Sequence, residues 1–369
     1  STLFPYTTLF RSWRNRVREW MIYGANGFTG ELTARRAKMQ GMKPILAGRN
    51  EEKIKALADE LDLSFRCFSL EDKALAEYIR DVSVVVHSAG PFSKTAKPMM
   101  EACIKANTHY LDITGEISVF EDSQRLSHKA KDAEIVICPG VGFDVIPTDC
   151  LAAQLKLKMP DAIHLRMGFD SKGSFSRGTA KTSIEGMPQG CKIRKNGKIK
   201  TIALGALDRN IDFGNGVKLS VAIPWGDIST AFYNTSIPNI EVYMPTSIGA
   251  LRSMKFANYL RWLLASSFIQ KFLTNKVDQG PKGPDENERK NSPMYVWGEV
   301  ENAVGNRVTC RIKTNNGYDL TVNGSIACAN HLLEDYEGDY GTLTPSQLAG
   351  PNLVERLPDC GTFMFETFS

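Results

Sequence analysis

The chain has 369 residues, of which 42% are hydrophobic and 23% are charged, and its formal net charge is +4. This is the composition of a globular protein long enough for two domains, and so small a charge argues against a nucleic-acid partner. Eight cysteines without a Cys-x-x-Cys pair, and five histidines without a His-x-x-x-His pair, predict reduced thiols, a cytoplasmic protein and no metal centre.

Residues 1–12 need separate treatment. The run from Thr2 to Ser12 resembles the in-frame translation of a DNA-sequencing adapter, so we expect an artefactual leader and exclude it from the fold. A signal peptide is disfavoured, because Pro5 and the arginine-rich run 14–18 leave no apolar core. The native chain is expected to begin between residues 13 and 21.

A glycine-rich loop follows the first predicted strand, 19–23. Gly24, Gly27 and Gly30 are spaced three apart, and a helical segment, 31–40, comes after them. Such a loop turns a strand sharply into a helix whose free N–H groups suit a phosphate or pyrophosphate. The loop residues expected to bind it are Gly24, Asn26, Gly27, Phe28, Thr29 and Gly30.

Strands and helices alternate from residue 20 to about residue 138. The further predicted strands are 44–47, 65–68, 82–86, 109–113 and 135–138, and the helices between them are 51–61, 73–80, 95–106 and 119–132. This alternation predicts an α/β fold with a Rossmann doubly wound parallel sheet over residues 13–145. A glycine loop after the first strand of such a sheet is a dinucleotide site.

The end of the second strand indicates which dinucleotide binds. A carboxylate there would bind the ribose 2′-OH of NAD, whereas an arginine accommodates the 2′-phosphate of NADP. The position holds Arg49, and no acidic residue occurs before Glu51. We therefore predict NADP(H), the alternative being a solvent-exposed arginine at a helix start.

Other predicted strand ends carry candidate site residues. Ala89, Gly90 and Pro91 follow the fourth strand and are expected to pass beside the cofactor. His87, which ends that strand, fits packing better than catalysis. Three residues at predicted cleft-facing turns or strand ends are candidates for polarising the substrate or donating a proton, namely Tyr110, Asp144 and Arg177. Asp149 could line the cleft or serve as a first-turn carboxylate of a helix.

Residues 146–339 are predicted to form a second α/β domain for substrate binding and dimerisation, with a largely antiparallel sheet. Its predicted strands include 163–169, 218–223, 230–235 and 240–244, with hairpins at 195–198 and 294–314 and helices at 150–158, 180–187 and 319–333. The Gly/Ser-rich turn 171–179 is either a second anion site or an N-cap. The tail, 340–369, is expected to pack back on the first domain.

The segment 247–273 is apolar with scattered basic residues, including Arg252, Lys255, Arg261 and Lys271. These charges exclude a membrane span, and two alternatives remain: a buried helix, or an interfacial helix that gives peripheral membrane contact. The charged Gly/Pro-containing loop 278–291 is a candidate mobile lid.

Several ordered motifs are similar to those of the saccharopine dehydrogenase-like oxidoreductases, in the branch that includes trans-acting enoyl reductases. The motifs are Gly24-Ala-Asn-Gly27-Phe28-Thr29-Gly30, Ala47-Gly48-Arg49, Gly90-Pro91-Phe92, Tyr110-Leu-Asp112-Ile-Thr114-Gly115-Glu116, Gly142-Phe143-Asp144-Val-Ile-Pro147-Thr-Asp149, Gly283-Pro284-Asp-Glu-Asn-Glu-Arg289, Trp297-Gly298-Glu299 and Leu343-Thr344-Pro345. The resemblance implies an NAD(P)-linked reductase and leaves its substrate open.

The leading hypothesis is hydride transfer from NADPH to an unsaturated or carbonyl small molecule, or to an acyl-chain substrate such as a lipid-linked enoyl group. One alternative is a true saccharopine reductase acting on an amino-acid adduct. The other is a dinucleotide-binding sensor or scaffold without turnover. A homodimer is expected.

Overall fold

The computed structural model describes residues 19–171, 176–260, 266–280, 283–334 and 336–368, and two β-sheets organise them. The strands are β1 Glu19–Tyr23, β2 Ile45–Gly48, β3 Phe65–Cys67, β4 Val82–His87, β5 His109–Asp112, β6 Val136–Cys138, β7 Ala162–Asp170, β8 Cys191–Lys195, β9 Lys198–Ile202, β10 Asp208–Asp212, β11 Val217–Ala222, β12 Asn239–Pro245, β13 Met294–Asn302, β14 Arg307–Thr314, β15 Gly341–Thr342 and β16 Met364–Phe368. The helices are α1 Phe28–Met39, α2 Glu51–Leu61, α3 Phe92–Ala106, α4 Ile117–Asp132, α5 Ile146–Lys158, α6 Arg177–Gly186, α7 Asp227–Thr235, α8 Ile248–Ala257, α9 Ser267–Asp278, α10 Glu286–Lys290, α11 Gly317–Leu333 and α12 Pro345–Ala349.

The first sheet has seven parallel strands in the order β15-β6-β5-β4-β1-β2-β3. The chain leaves β1 toward β2 on one side and later places β4 on the other, so the strand order reverses at β1. Such a reversal opens a crevice at the carboxyl ends of the strands, where α/β proteins bind ligands. The Rossmann sheet predicted from the sequence is confirmed.

The second sheet has nine strands and is mixed. β7 pairs in parallel with β12 and antiparallel with β13, and its other pairings are antiparallel. The predicted hairpin at 195–198 is present, because Asn196 and Gly197 take the positive φ angles, 50° and 75°, that a tight two-residue turn needs. The largely antiparallel second sheet is thus also as predicted.

One predicted strand, 230–235, is wrong. The segment belongs to α7, which begins at Asp227 and buries Ile228, Ala231 and Thr235 at helical spacing. Its threonines and aromatic residues favour a strand locally, but packing of this buried face against α5 and β12 overrides that preference. The segment 73–80 is likewise only a short 3₁₀ turn, Leu75–Ile79.

Two helices lie between the sheets and set the position of the cleft. α11 packs against α1 and the strands β4 and β5 of the first sheet, whereas α5 packs against β13 and β14 of the second. Their buried side chains form one continuous apolar core with both sheets. This shared core fixes the two sheets relative to each other, with the carboxyl edge of the first sheet facing the second domain.

The tail divides between the two sheets. β15 joins the first sheet beside β6, as expected, whereas β16 pairs with β14 of the second sheet, so the end of the tail does not pack back on the first domain. The reason is that β14 offers an unpaired edge whose backbone groups β16 satisfies.

The apolar segment 247–273 is not one helix: it comprises α8, a 3₁₀ turn at Asn258–Leu260 and α9, with 261–265 outside the described residues. The leader 1–12 and residues 172–175 of the Gly/Ser-rich turn also lie outside them. In the described part of the chain, no helix is both long enough and apolar enough to span a bilayer.

Candidate functional site

The glycine loop forms the cofactor end of the site. Gly24 takes a φ angle of 83°, and a Cβ added to it would lie 2.8 Å from the backbone N of Ala89. A Cβ on Gly30 would lie only 2.3 Å from the carbonyl oxygen of Gly24. Only glycine fits both positions, so α1 begins tightly against β1 and β4. Gly27, at the N-cap of α1, has no side chain to cap the helix, and the first-turn N–H groups stay available for a pyrophosphate.

The neighbouring strand ends complete this cradle. The Asn26 side-chain oxygen lies 3.2 Å from the position of a Cβ on Gly48, at the end of β2. Arg49 follows, exposed, and its side chain makes no hydrogen bond or ion pair with other described residues. An unpaired guanidinium at this strand end fits a 2′-phosphate.

The end of β4 is held by hydrogen bonds within the domain. The Thr95 hydroxyl lies 2.6 Å from the Ala89 carbonyl and 3.1 Å from the Pro91 carbonyl, which fixes the turn at Gly90. His87 Nε2 lies 3.0 Å from the same hydroxyl, and the His87 ring is fully buried. Burial lowers the pKa of His87 to about 3, so the imidazole is neutral and packs as predicted.

Tyr110 does not face the cleft, and its expected position there is corrected. The side chain is fully buried, and its hydroxyl donates to Asp112 Oδ2 at 2.7 Å. Tyr110 and Asp112 are two residues apart on one strand and so point to the same face, which lets the phenol reach the carboxylate instead of a substrate. Asp112 Oδ1 also accepts from the backbone N–H groups of Thr114 and Gly140, each at 2.9 Å.

A cleft opens where the carboxyl edge of the first sheet meets the second domain, and about 780 Å³ of space lies within it, part of that open to solvent. Seven of its lining residues are apolar or aromatic, and eight are polar or charged. The lining residues are Thr29, Ile113, Phe143, Asp144, Phe169, Ser171, Trp225, Pro284, Glu288, Arg289, Ser292, Met294, Asn316, Gly317, Tyr318 and Thr321. Such a combination is typical of small-molecule sites.

Asp144 lies in this cleft, where the sequence places it. Its carbonyl accepts from Trp225 Nε1 at 2.8 Å, which fixes the backbone, and the position of a Cβ on Gly115 lies 2.8 Å from its Oδ2. Within the described ranges no donor reaches the carboxyl group itself. Burial raises the pKa of Asp144 to about 7, close to the value that suits a proton donor at neutral pH.

A fully buried acid, Asp227, lies near Asp144. Asp227 is fully buried; its Oδ1 accepts from the Thr148 hydroxyl at 2.7 Å, and its Oδ2 has no partner among the described residues. Burial raises the pKa of Asp227 well above its ordinary value, and the charges of Asp149 and Asp144 raise it further. Both effects favour the protonated, uncharged form of Asp227.

Asp149 is a structural carboxylate. It accepts from Asn234 Nδ2 and from the backbone N–H of Ser346, both at 2.7 Å, and is fully buried. These bonds join the start of α5 to α7 and α12, so of the two alternatives left open by the sequence the structure selects the helix-terminal one.

Tyr318 is a cleft residue that the sequence does not reveal. Its hydroxyl oxygen accepts from the Ser176 N–H at 2.5 Å, and its ring meets Phe28 edge-to-face at 5.2 Å between centroids. The phenolic proton has no acceptor among the described residues and remains available to a substrate oxygen. The contact with Ser176 spans 142 positions of sequence, which no local pattern indicates.

The loop 283–291, part of the candidate lid, covers the cofactor loop. A Cβ on Gly283 would lie 2.7 Å from the Phe28 ring, and Arg289 Nη1 donates to the Pro284 carbonyl at 3.1 Å. Arg289 also lies 3.4 Å from Asp319, and its side chain is only 13% exposed. A positive charge is thereby held at the cleft wall.

Arg177 is not part of the cleft wall, and its expected place there is corrected. Its guanidinium donates to the Gly280 carbonyl through Nε, at 2.9 Å, and through Nη2. The arginine joins the start of α6 to the end of α9, because a carbonyl left free beyond a helix C-terminus is a strong acceptor for a cation. In the described part of the chain, no three His, Cys, Asp or Glu side chains converge as a metal site would require.

Comparison with known proteins agrees with this geometry. Residues 20–138 match the family described as the saccharopine dehydrogenase NADP binding domain. A trans-acting enoyl reductase of Mycobacterium ulcerans is 33% identical over 143 residues, which are 36% of this chain and 34% of that protein. A putative trans-acting enoyl reductase of Mycobacterium tuberculosis is 31% identical over 182 residues, covering 45% of this chain and 43% of that protein. The matched stretch thus spans about a third to two fifths of these relatives.

A solved structure shares the fold. The apo saccharopine dehydrogenase (L-Glu forming) of Saccharomyces cerevisiae superposes with a TM-score of 0.63 over 95% of this chain and 100% of that one, at 13% identity. At this identity the likeness concerns the fold alone. The match of residues 20–138 to the saccharopine dehydrogenase NADP binding domain bears out the family resemblance and the NADP(H) cofactor predicted from the sequence.

Proposed function

We propose that this protein is a reductase that uses NADPH to reduce an unsaturated or carbonyl substrate in the cleft, and that the favoured substrate is a lipid-linked enoyl group. The observation that carries the proposal is Asp144, a carboxyl group with a pKa near 7 and no described hydrogen-bond donor, which lines the cleft where the cofactor domain meets the second domain.

Each cleft residue has its own role in this proposal. NADPH, held by the glycine loop 24–30 and Arg49, would supply the hydride that one carbon of the double bond receives. Asp144 holds the proton that the other carbon receives, and Tyr318 donates a hydrogen bond to the substrate carbonyl oxygen, where negative charge develops. The aromatic wall formed by Phe143, Phe169 and Trp225 excludes water from the reacting atoms.

The substrate class follows from the wall of the cleft and from the relatives. The aromatic part of the wall, formed by Phe143, Phe169 and Trp225, favours an acyl chain, and the two relatives described above are enoyl reductases by name. Arg289 favours the second candidate, a saccharopine-type adduct, because its guanidinium could bind a substrate carboxylate.

The test is NADPH oxidation, followed by absorbance, with enoyl thioesters of increasing chain length and, separately, with an aldehyde plus glutamate. We expect turnover of the enoyl thioesters, and the Asp144→Asn variant should bind NADPH but turn over far more slowly. Turnover of the aldehyde and glutamate alone would replace the proposal by the second candidate. Tight NADPH binding without turnover of either would identify a dinucleotide-binding sensor or scaffold.

Two further features of the proposal concern assembly and location. We propose a homodimer, since the edge strand β16 leaves Met364 and Phe368 more than half exposed. Light scattering on the purified chain would test it, and a monomer at all concentrations would refute it.

The cytoplasm suits the eight cysteines, which are unpaired in the structure and mostly buried. Fractionation of cells would test that location.

A further inference from the structure

We propose that helices α8 and α9 form a docking surface for an anionic lipid bilayer. This surface, called here the aromatic-basic surface, comprises residues 248–260 and 267–276. Five of its large apolar side chains are between 62% and 79% exposed, although in a globular domain such groups are usually covered: Ile248, Phe256, Tyr259, Phe268 and Phe272.

The exposed side chains are arranged in stripes. On α8, Ile248, Arg252 and Phe256 follow one another at intervals of four residues, so they share one face of the helix. On α9, Phe268 and Phe272 have the same spacing. α9 therefore presents an apolar ridge, and α8 presents a ridge on which Arg252 lies between two apolar side chains, as in helices that lie in the plane of a membrane interface.

The opposite side of the surface is fixed to the protein. Leu251 of α8 is buried, and the Asn258 side chain exchanges hydrogen bonds of 2.9 Å with the backbone N–H and carbonyl of Leu204. α9 packs against α6, where Gln270 donates to the Ile184 carbonyl at 3.1 Å. The aromatic residues consequently stay outward and need no rearrangement to meet a ligand.

Charge selects an anionic membrane as the occupant. Between Glu241 and Asp278 the sequence contains five basic residues and no acidic one. Lys255 pairs with Asp208 at 3.5 Å, whereas Arg252, Lys271 and Lys276 have no partner among the described residues. Basic side chains beside exposed aromatic rings are what an interface with anionic headgroups requires. A second copy of the same surface would instead bring like charges together.

The surface is linked to the cleft along the chain. α9 ends at Asp278, and the chain then supplies Pro284 and Arg289 to the cleft wall. A membrane seated on α8 and α9 would therefore lie close to the entrance for an acyl chain. This last step rests on the proposed function, whereas the docking itself does not.

The experiment measures binding of the full chain to sedimenting vesicles, without NADPH or substrate, so its outcome does not depend on the enzymatic proposal. Vesicles of phosphatidylcholine with about 30% phosphatidylserine should bind the protein at least about tenfold more tightly than phosphatidylcholine alone, and salt near 0.5 M should abolish the difference.

Paired variants make the test specific. The double substitution Phe268→Glu and Phe272→Glu should reduce binding to anionic vesicles at least about tenfold. Met39→Glu with Val304→Glu adds the same charge at side chains that are 81% and 80% exposed elsewhere, and should leave binding unchanged. Thermal unfolding of both variants should match that of the parent, since all four side chains are exposed.

Three results would overturn the proposal. These are failure of the parent to bind anionic vesicles at low salt, equal loss of binding in both double variants, and light scattering that shows a dimer which the Phe268→Glu/Phe272→Glu variant dissociates while the parent does not bind vesicles. The last would identify the surface as a contact between two copies of the chain.

Discussion

Two aspartates that follow strands of the first sheet look alike in the sequence, but their hydrogen-bond partners differ in the structure. Asp112 ends β5 and accepts hydrogen bonds from the Tyr110 hydroxyl and two backbone N–H groups, whereas Asp144, in the segment that leaves β6, has no described donor at its carboxyl group. Burial raises both pKa values, to about 6 for Asp112 and to about 7 for Asp144.

The two carboxylates differ in the hydrogen-bond donors that reach them. The donors around Asp112 lower its pKa against the effect of burial and join two backbone segments, around residues 110–114 and at Gly140. For Asp144, burial alone raises the pKa, and its carboxylate oxygens stay free for a substrate. A fully buried acid with partners stabilises the fold, and a half-buried acid without described donors in a cleft is available for chemistry.

The largest effect should come from Asp144→Asn. The amide keeps the shape but cannot donate a proton from a carboxyl group, so kcat should fall by about 10²–10⁴-fold. NADPH affinity, measured by fluorescence titration, should stay within about twofold of the parent because Asp144 is outside the phosphate-binding loop. A variant that retained the parent rate would remove the distinction between the two aspartates.

Asp112→Ala should lower the stability of the fold and should not act on the catalytic step specifically. It leaves the Thr114 and Gly140 N–H groups and the Tyr110 hydroxyl without their acceptor, which should lower the free energy of unfolding by about 2–4 kcal/mol in a denaturant titration. Tyr110→Phe, the matched milder variant, removes one donor and should cost about 1 kcal/mol. An Asp112→Ala variant as stable as the parent would show that the network is not structural.

Arg49→Asp extends the comparison from the cleft to the cofactor end of the site. Loss of the guanidinium should weaken NADPH binding by about 10- to 100-fold and leave NADH binding nearly unchanged. Lys53→Asp, one turn into α2 and exposed, controls for the change in charge. An unchanged preference for NADPH over NADH would show that another residue holds the 2′-phosphate.

The smallest expected effect is a pH-dependent gain in stability when Asp144 is replaced by asparagine. Because the pKa of this carboxyl is raised in the folded protein, the native state binds its proton more tightly, and stability falls as pH rises from the ordinary carboxyl range through about 7. Asp144→Asn removes that penalty, so at pH 8 its melting temperature should exceed that of the parent by a few degrees, about 1 kcal/mol or more. The gain should vanish near pH 4. A gain that persists there would have another cause.

The sequence predicts the cofactor half of this site well, because that half is built from local patterns. The spacing of Gly24, Gly27 and Gly30 between a strand and a helix, followed by Arg49 after the second strand, specifies both the turn and the cofactor. The alternating strands and helices specify the parallel sheet for the same reason: each unit is recognisable within a few tens of residues.

The substrate half depends on contacts that no local pattern contains. A strand end shows that Tyr110 and Asp144 are near the crevice, but not that the phenol turns inward to Asp112 while the carboxyl of Asp144 stays free. Arg177 is bound to a carbonyl about a hundred residues away, and Tyr318 reaches the cleft only because α11 packs on α1. Tertiary packing decides these positions.

The pH dependence of kcat/KM tests the central claim most directly. If Asp144 donates the proton, the rate for an enoyl thioester should be constant below about pH 6 and fall tenfold per pH unit above an apparent pKa of about 7, the value to which burial raises this carboxyl. The residual rate of Asp144→Asn should lack that fall. The same fall near pH 7 in both proteins would contradict the account, since the titrating group would then not be Asp144.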